Sequence, residues 1–237
     1  MANIALLIAG GSGNRMNQDI PKQFISVNDR PVIVYTLEAF QNHPEIFEIA
    51  VVCLEDWIQV LWAYAKQFNI SKLKYVIPGG STGQESIRNG VYELEKHYKQ
   101  TDLVLIHDSI RPLVSSEIIS DNIRVAIKCG NAITVIPCAE AMLKTENGES
   151  SSGSYPRENL KRTQTPQAFK LKDICDLHRE AQKKGINNSV ASCTLMIELG
   201  KQVYFSSGSE KNVKLTTVED IDIFKALLAA KRSDWLK

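Results

Sequence analysis

The sequence lacks the marks of several large function classes. Its 237 residues hold no run approaching 18 consecutive apolar residues, so no membrane-spanning helix and no membrane partner is expected. Five cysteines (Cys53, Cys129, Cys138, Cys175 and Cys193) are scattered, odd in number and never spaced C-x-x-C. That pattern argues against a disulfide framework or a zinc site, and for small buried side chains. Net charge is almost absent. A formal +1 denies the chain the basic footprint of a general nucleic-acid binder, so phosphate recognition has to come from local clusters. Neither G-x-G-x-x-G nor G-x-x-x-x-G-K-[ST] occurs, which leaves an oxidoreductase on a doubly wound sheet without its fingerprint. The first residues run straight into a strand and a ligand loop, with no charged, apolar and cleavage succession, and a cytoplasmic location is expected.

What is present is ordinary globular material, 43% hydrophobic and 23% charged. Apolar runs at 4–9, 47–53, 74–78 and 132–137 read as strands, as does the start of the segment 103–112, and 202–206 as a further one. They alternate with helical patterns at 31–40, 56–68, 115–129, 171–184, 191–199 and about 217–232. This alternation predicts an α/β fold with a mostly parallel sheet covered on both faces. No repeat or linker divides it, so residues 1–237 are read as one domain. Periodicity fails from about 138 to 163, where Glu146-Asn-Gly-Glu-Ser-Ser-Ser-Gly-Ser-Tyr155 reads as a long loop or hairpin.

Three segments carry the chemistry. Ile4 to Ala9 ends in Gly10-Gly11-Ser12-Gly13, followed by the cations Arg15 and Lys22. A glycine turn brings backbone N–H groups close to a ligand, and fixed positive charge beside it suits phosphates. Pro78-Gly-Gly-Ser-Thr-Gly-Gln-Glu-Ser86 repeats the device, with Gly80 offering close approach and Ser81 and Ser86 offering hydroxyls. Capping of the following helix by Ser81 or Thr82 is the structural alternative. Leu103 to Pro112 delivers His107, Asp108, Ser109 and Arg111 at a strand end, where an aspartate can hold Mg²⁺ that bridges phosphates.

Ala9-Gly-Gly-Ser-Gly-Asn-Arg-Met16 with Pro21-Lys-Gln-Phe24 resembles the signature loop of the cytidylyltransferases for methylerythritol 4-phosphate and ribitol 5-phosphate. His107-Asp-Ser-Ile-Arg-Pro112, Tyr155-Pro-Arg157, Thr165-Pro-Gln167 and Asn212-Val-Lys214 match further blocks of that family, in its order. The resemblance implies a Rossmann-like three-layer nucleotidyltransferase fold with a dimerisation arm at about 138–163 that reaches the partner's substrate site. It implies Arg15, Lys22, Arg157 and Lys214 as catalytic residues. Ile8, Ala9, Gly10, Gly11, Gly80, Ser81, Ser86, Asp108 and Ser109 would hold the nucleotide. Asp108, Arg111, Arg157 and Thr165 would hold the acceptor, with Asp108 on Mg²⁺. His107 is read as a structural hydrogen-bonding residue.

The implied activity is transfer of CMP from CTP to a polyol phosphate, D-ribitol 5-phosphate first and methylerythritol 4-phosphate second, by a homodimer serving a cell-surface polysaccharide pathway. Another polyol phosphate, or a non-catalytic nucleotide-binding protein, are the other readings. Three positions depart from the family pattern. Gly83 stands where an arginine is usual, and Glu140-Ala141 where Asp-Thr is typical. Val190-Ala-Ser-Cys-Thr194 replaces the Thr-Asp-Asp/Glu-Ala-Ser of the methylerythritol enzymes, while its Cys193 fits the ribitol type.

Overall fold

The computed structural model describes residues 1–11 and 20–232. Within them the chain runs β1 (Asn3–Ala9), β2 (Ser26–Val27), β3 (Arg30–Pro31), α1 (Val32–Gln41), β4 (Glu48–Cys53), α2 (Ile58–Gln67), β5 (Leu73–Pro78) and α3 (Gly83–Glu95). It continues through β6 (Leu103–Asp108), α4 (Ser116–Cys129), β7 (Asn131–Pro137), β8 (Met142–Lys144), β9 (Gly153–Tyr155) and β10 (Lys161–Lys170). The last elements are α5 (Leu171–Lys183), α6 (Ser192–Glu198), β11 (Phe205–Ser207) and α7 (Val218–Arg232).

Seven strands form the central sheet in the order β11-β7-β10-β6-β1-β4-β5. All neighbours pair in parallel except β10, which runs antiparallel between β6 and β7. Side chains of β1 alternate between the two faces, as a strand requires. Ala5, Leu7 and Ala9 pack beneath α1, α2 and α4 through Leu37, Phe40, Leu61 and Ile119. Ile4 and Leu6 face α3, α5 and α6 through Val91, Leu94, Ile174, Cys175 and Leu195. A smaller cluster seats α7 by Ile221 and Phe224 against Val32, Ile110 and Leu215. The three-layer α/β expectation is met.

Chain order moves outward from β1 to β4 and β5, then jumps to β6 on the other side of β1. Ligands of such sheets bind outside the carboxyl ends of the strands at this reversal. The ends of β1, β5 and β6 therefore face one crevice.

Two expectations needed revision. No strand is read over 161–170 in the sequence, a stretch in which Pro166 has no N–H to give a ladder. The chain accommodates it in a bulge. Thr163 pairs with Val135 and Gln167 with Ile133, so Gln164, Thr165 and Pro166 together oppose Thr134. The strand expected over 202–206 is confined to Phe205–Ser207, since the Asn131 amide binds the Tyr204 N–H and the Gln202 carbonyl in place of ladder partners. The aperiodic stretch is a β8–β9 hairpin whose strands are exposed throughout.

His107 and His178 are both buried, and burial lowers each pKa to about 4. The unfolded chain binds protons that the fold refuses between about pH 6.5 and that value, so stability falls as pH drops through this window. Each histidine accounts for about 3 kcal/mol when the window is fully crossed. His178 ring nitrogens have no partner among the described residues, so His178→Leu is expected to remove its share of the acid slope. Melting temperatures from pH 7 to 4 test this, and parallel curves for variant and wild type would refute it.

Candidate active site

The crevice at the switch point is a cleft of about 340 Å³. Its walls come from the end of β1, the Lys22–Phe24 turn, the start of α3, the end of β6, the β10 bulge, the segment before α6 and Lys214.

The glycine turn is held from beneath. Gln23 is buried and its Nε2 donates to the carbonyls of Ala9 (2.7 Å) and Gly11 (3.1 Å). One amide thereby ties the Lys22–Phe24 turn to the start of the glycine turn and places Lys22 on the cleft wall. The second glycine turn packs against the first. A Cβ on Gly10 would lie 3.7 Å from Gly79 Cα, an ordinary contact, and 3.1 Å from Ser86 Oγ, which would have to give by a few tenths of an ångström.

At the end of β6, Asp108 holds two cations. Arg111 Nε donates to its Oδ2 (3.0 Å) and Lys214 Nζ to its Oδ1 (3.1 Å). Arg111 is further fixed by Nη1 on the Asn212 carbonyl, 2.7 Å away. Burial works against the Asp108 carboxylate, but Lys214 and Arg111 outweigh it and hold its pKa below the ordinary aspartate value. At neutral pH the group is an anion between two cations.

Thr165, aimed by the bulge, joins this strand end to β10. Its Oγ1 accepts the Asp108 N–H (3.0 Å) and reaches His107 Nδ1 (3.0 Å), while His107 Nε2 lies 3.2 Å from the Arg111 carbonyl. A neutral imidazole protonated at Nε2 satisfies all three contacts. With both nitrogens engaged and its pKa near 4, His107 is a structural residue and not a base at neutral pH. Neighbouring Gln164 ties the bulge to the Ser209 carbonyl (2.8 Å), and Gln167 binds Cys193 through N–H to Oε1 (3.1 Å) and Nε2 to Sγ (3.4 Å). These two glutamines fix the lysine-bearing loop and the 190–194 segment.

Of the residues named from sequence, Ile8, Ala9, Gly11, Lys22, Asp108, Ser109, Arg111, Thr165 and Lys214 line the cleft together. Arg15 lies outside the described residues. Gly10, Gly80, Ser81 and Ser86 do not line it; they build the turns behind it. Ser86 Oγ accepts the Gly80 N–H (3.0 Å), and Ser81 gives its N–H and Oγ–H to Glu85 Oε2. Thr82 caps α3 by accepting the Glu85 N–H, as the structural alternative had it. Arg157 stands in the arm, exposed, with Nη1 on the Ala139 carbonyl of its own chain (3.0 Å), and is not part of this cleft. Gln23, Gln164, Gln167 and Asn212 were missed as positioning residues. Their only signal was membership of the motif blocks.

Residues 3–230 match the family model described as 2-C-methyl-D-erythritol 4-phosphate cytidylyltransferase. The chain is 44% identical, over 96% of its length and 98% of the relative's, to a ribitol-5-phosphate cytidylyltransferase of Lacticaseibacillus paracasei. It is 39% identical, over 95% of its length and 97% of the relative's, to a 2-C-methyl-D-erythritol 4-phosphate cytidylyltransferase of Clostridium botulinum. Its fold superposes with a TM-score of 0.81 on the crystal structure of a 4-diphosphocytidyl-2C-methyl-D-erythritol synthase from Anaerococcus prevotii. The two are 25% identical, covering 96% of this chain and 98% of that one.

Thr165→Val leaves the Asp108 N–H and His107 Nδ1 unpaired, and is expected to cost about 1–3 kcal/mol of stability. Thr165→Ser keeps the hydroxyl and is expected to recover most of it. Denaturant unfolding of the two variants is the check; a valine variant as stable as wild type would show that the relay carries no weight.

Proposed function

The chain belongs to the 2-C-methyl-D-erythritol 4-phosphate cytidylyltransferase family and is a CTP-dependent cytidylyltransferase, and on that premise we propose that its acceptor is D-ribitol 5-phosphate. The observation that carries the chemistry is the Asp108–Arg111–Lys214 cluster facing Lys22 across one cleft. An oxygen of the acceptor phosphate attacks the α-phosphorus of CTP, a new P–O bond forms, the bond to the bridging oxygen breaks, and pyrophosphate leaves with the electron pair. A phosphate monoester has its second pKa near 6, so the nucleophile is already anionic and no base is needed. Two polyanions must meet while charge builds on the leaving oxygen. Lys22, Lys214, Arg111 and, by family resemblance, Arg15 oppose that charge without reorganising.

Mg²⁺ fits as a metal that arrives with the triphosphate. Such sites use one or two carboxylates plus phosphate oxygens, and Asp108 would supply one carboxylate at the cleft, each of its oxygens keeping an acceptor site beyond the one taken by Arg111 or Lys214. No group of three or more His, Cys, Asp or Glu side chains suited to a metal exists among the described residues. When bound, the ion neutralises phosphate charge.

The ribitol assignment is supported by the L. paracasei relative and by Cys193, buried on Gln167 just behind the cleft-lining residues 190–192. Methylerythritol 4-phosphate is the second reading, favoured by the C. botulinum relative. The exposed β8–β9 hairpin supports a homodimer. Two strands alone are marginal in water, and Met142, Leu143 and Tyr155 stand on it uncovered in the single chain. Arg157 at its exit would then serve the partner's acceptor. No helix among the described residues is long and apolar enough to cross a membrane. A cytoplasmic enzyme that supplies a CDP-polyol for cell-surface polysaccharide fits this reading.

Pyrophosphate release from CTP and Mg²⁺ is expected with ribitol 5-phosphate and to be weak with methylerythritol 4-phosphate; the reverse preference would overturn the acceptor assignment. Lys22→Ala and Lys214→Ala are each expected to lower kcat by about 10²–10³. Sedimentation should give a dimer at micromolar concentration, and an active monomer would remove the arm from the reading.

A further inference from the structure

A second cavity, of about 250 Å³, opens beside the first. The two share Arg111, Thr163, Gln164 and Lys214 as lining, so they adjoin at the two cations as neighbouring lobes. The glycine turn, Lys22 and Asp108 line only the first lobe; Arg162, Glu210, Asn212 and Asp220 line only the second. With the nucleotide against the glycine turn, as the family resemblance implies, an acceptor phosphate held by the two shared cations would leave its carbon chain to extend away from the nucleotide. We propose that the second lobe receives the carbon chain of the acceptor and that Arg162 with Glu210 reads its distal hydroxyls. This rests on the polyol-phosphate reading above.

The chemistry of the lobe suits hydroxyls. Arg162, on β10 just before the bulge, places Nη2 2.5 Å from Glu210 Oε2 and Nη1 3.2 Å from Glu140 Oε1. A hydroxyl both donates and accepts, so a guanidinium beside a carboxylate spans neighbouring hydroxyls, the N–H groups giving to one oxygen and the carboxylate accepting from the next O–H. Asp220 is committed elsewhere, since its Oδ2 accepts the N–H groups of Thr216 and Thr217 and the Thr216 hydroxyl. Asn212 backs the wall of this lobe from inside the fold, its Nδ2 donating to Gln164 Oε1 (3.2 Å) and to the Thr165 carbonyl (2.9 Å).

The ion pairs are half-exposed, and pairs of that kind add little to fold stability. They are weak enough to open for a ligand. Two carboxylates around one guanidinium also disfavour a second phosphate at the outer end, which orients the acceptor with its phosphate at Arg111 and Lys214.

The test compares ribitol 5-phosphate with 2-deoxyribitol 5-phosphate, at saturating CTP and Mg²⁺, for wild type, Arg162→Ala and the nearly isosteric Glu210→Gln. Melting curves establish that each variant is folded. Wild type is expected to favour the full polyol by about tenfold or more in kcat/KM. Both variants are expected to raise the acceptor KM about tenfold, to leave the CTP KM within about twofold, and to lose most of the preference over the deoxy compound. Unchanged acceptor KM and unchanged discrimination in both variants would overturn the proposal alone. Silence of wild type with both acceptors, while CTP still raises its melting temperature, would overturn the acceptor reading and this proposal with it.

Discussion

The site depends on one carboxylate set between two cations. Arg111 and Lys214 come from segments 103 residues apart, and Asp108 takes one oxygen to each. Without it the two positive side chains would repel and turn to solvent, because long charged side chains lose rotamer freedom when ordered. With it they are held ready for phosphate before any ligand arrives. Asp108 itself is fixed by its backbone. It ends a strand paired to β1, and its N–H is spent on Thr165. Sheet register is thereby translated into the position of charge.

Strand β10 carries that translation to the other half of the molecule. As the one antiparallel member of the seven-stranded sheet it lies between β6 and β7, and its bulge puts Gln164 and Thr165 on the cleft while Gln167 stays in register. Bulges re-aim side chains at the cost of local pairing. Here the lost ladder contacts are replaced by Thr134 Oγ1 and Asn122 Nδ2 on the Pro166 carbonyl, at 2.6 and 3.1 Å. The buried polar network around the bulge is thus both the repair of an interrupted sheet and the scaffold of the site.

The alternation of apolar runs with helical periods made the sheet and its covering layers legible, Asp108 and Arg111 were legible as charges at a strand end, Lys22 as a cation beside a glycine turn, and Lys214 through the family block. What escaped was any position whose meaning lies in geometry that no period encodes. The β10 strand hides behind Pro166, whose missing N–H is tolerable only because the bulge exempts it. Ser81 and Ser86 looked like ligand donors because they are hydroxyls after glycines. Glu85 takes the O–H of the first, while the second accepts the Gly80 N–H and keeps its own O–H, and a carboxylate four residues downstream of Ser81 gives no sign of folding back over a turn. Gln23 is the reverse case, a neutral amide that looked like a spacer between Lys22 and Phe24 yet holds the carbonyls of Ala9 and Gly11 where the glycine turn begins.

The departures from the family pattern acquire a common meaning in this frame. Gly83 and the 190–192 segment line the first lobe, and Glu140 pairs with Arg162 at the outer edge of the second. None of them touches Asp108, Arg111 or Lys214. Phosphoryl chemistry demands fixed charge, and a fixed charge needs a rigid, fully partnered surround, so those positions admit little change. Recognition of an acceptor chain demands only that polar groups match hydroxyls, and exposed side chains with weak partners can be exchanged at small cost to the fold. A cleft with its cations at the junction and its variable groups at the two extremities can change what it accepts without disturbing what it does.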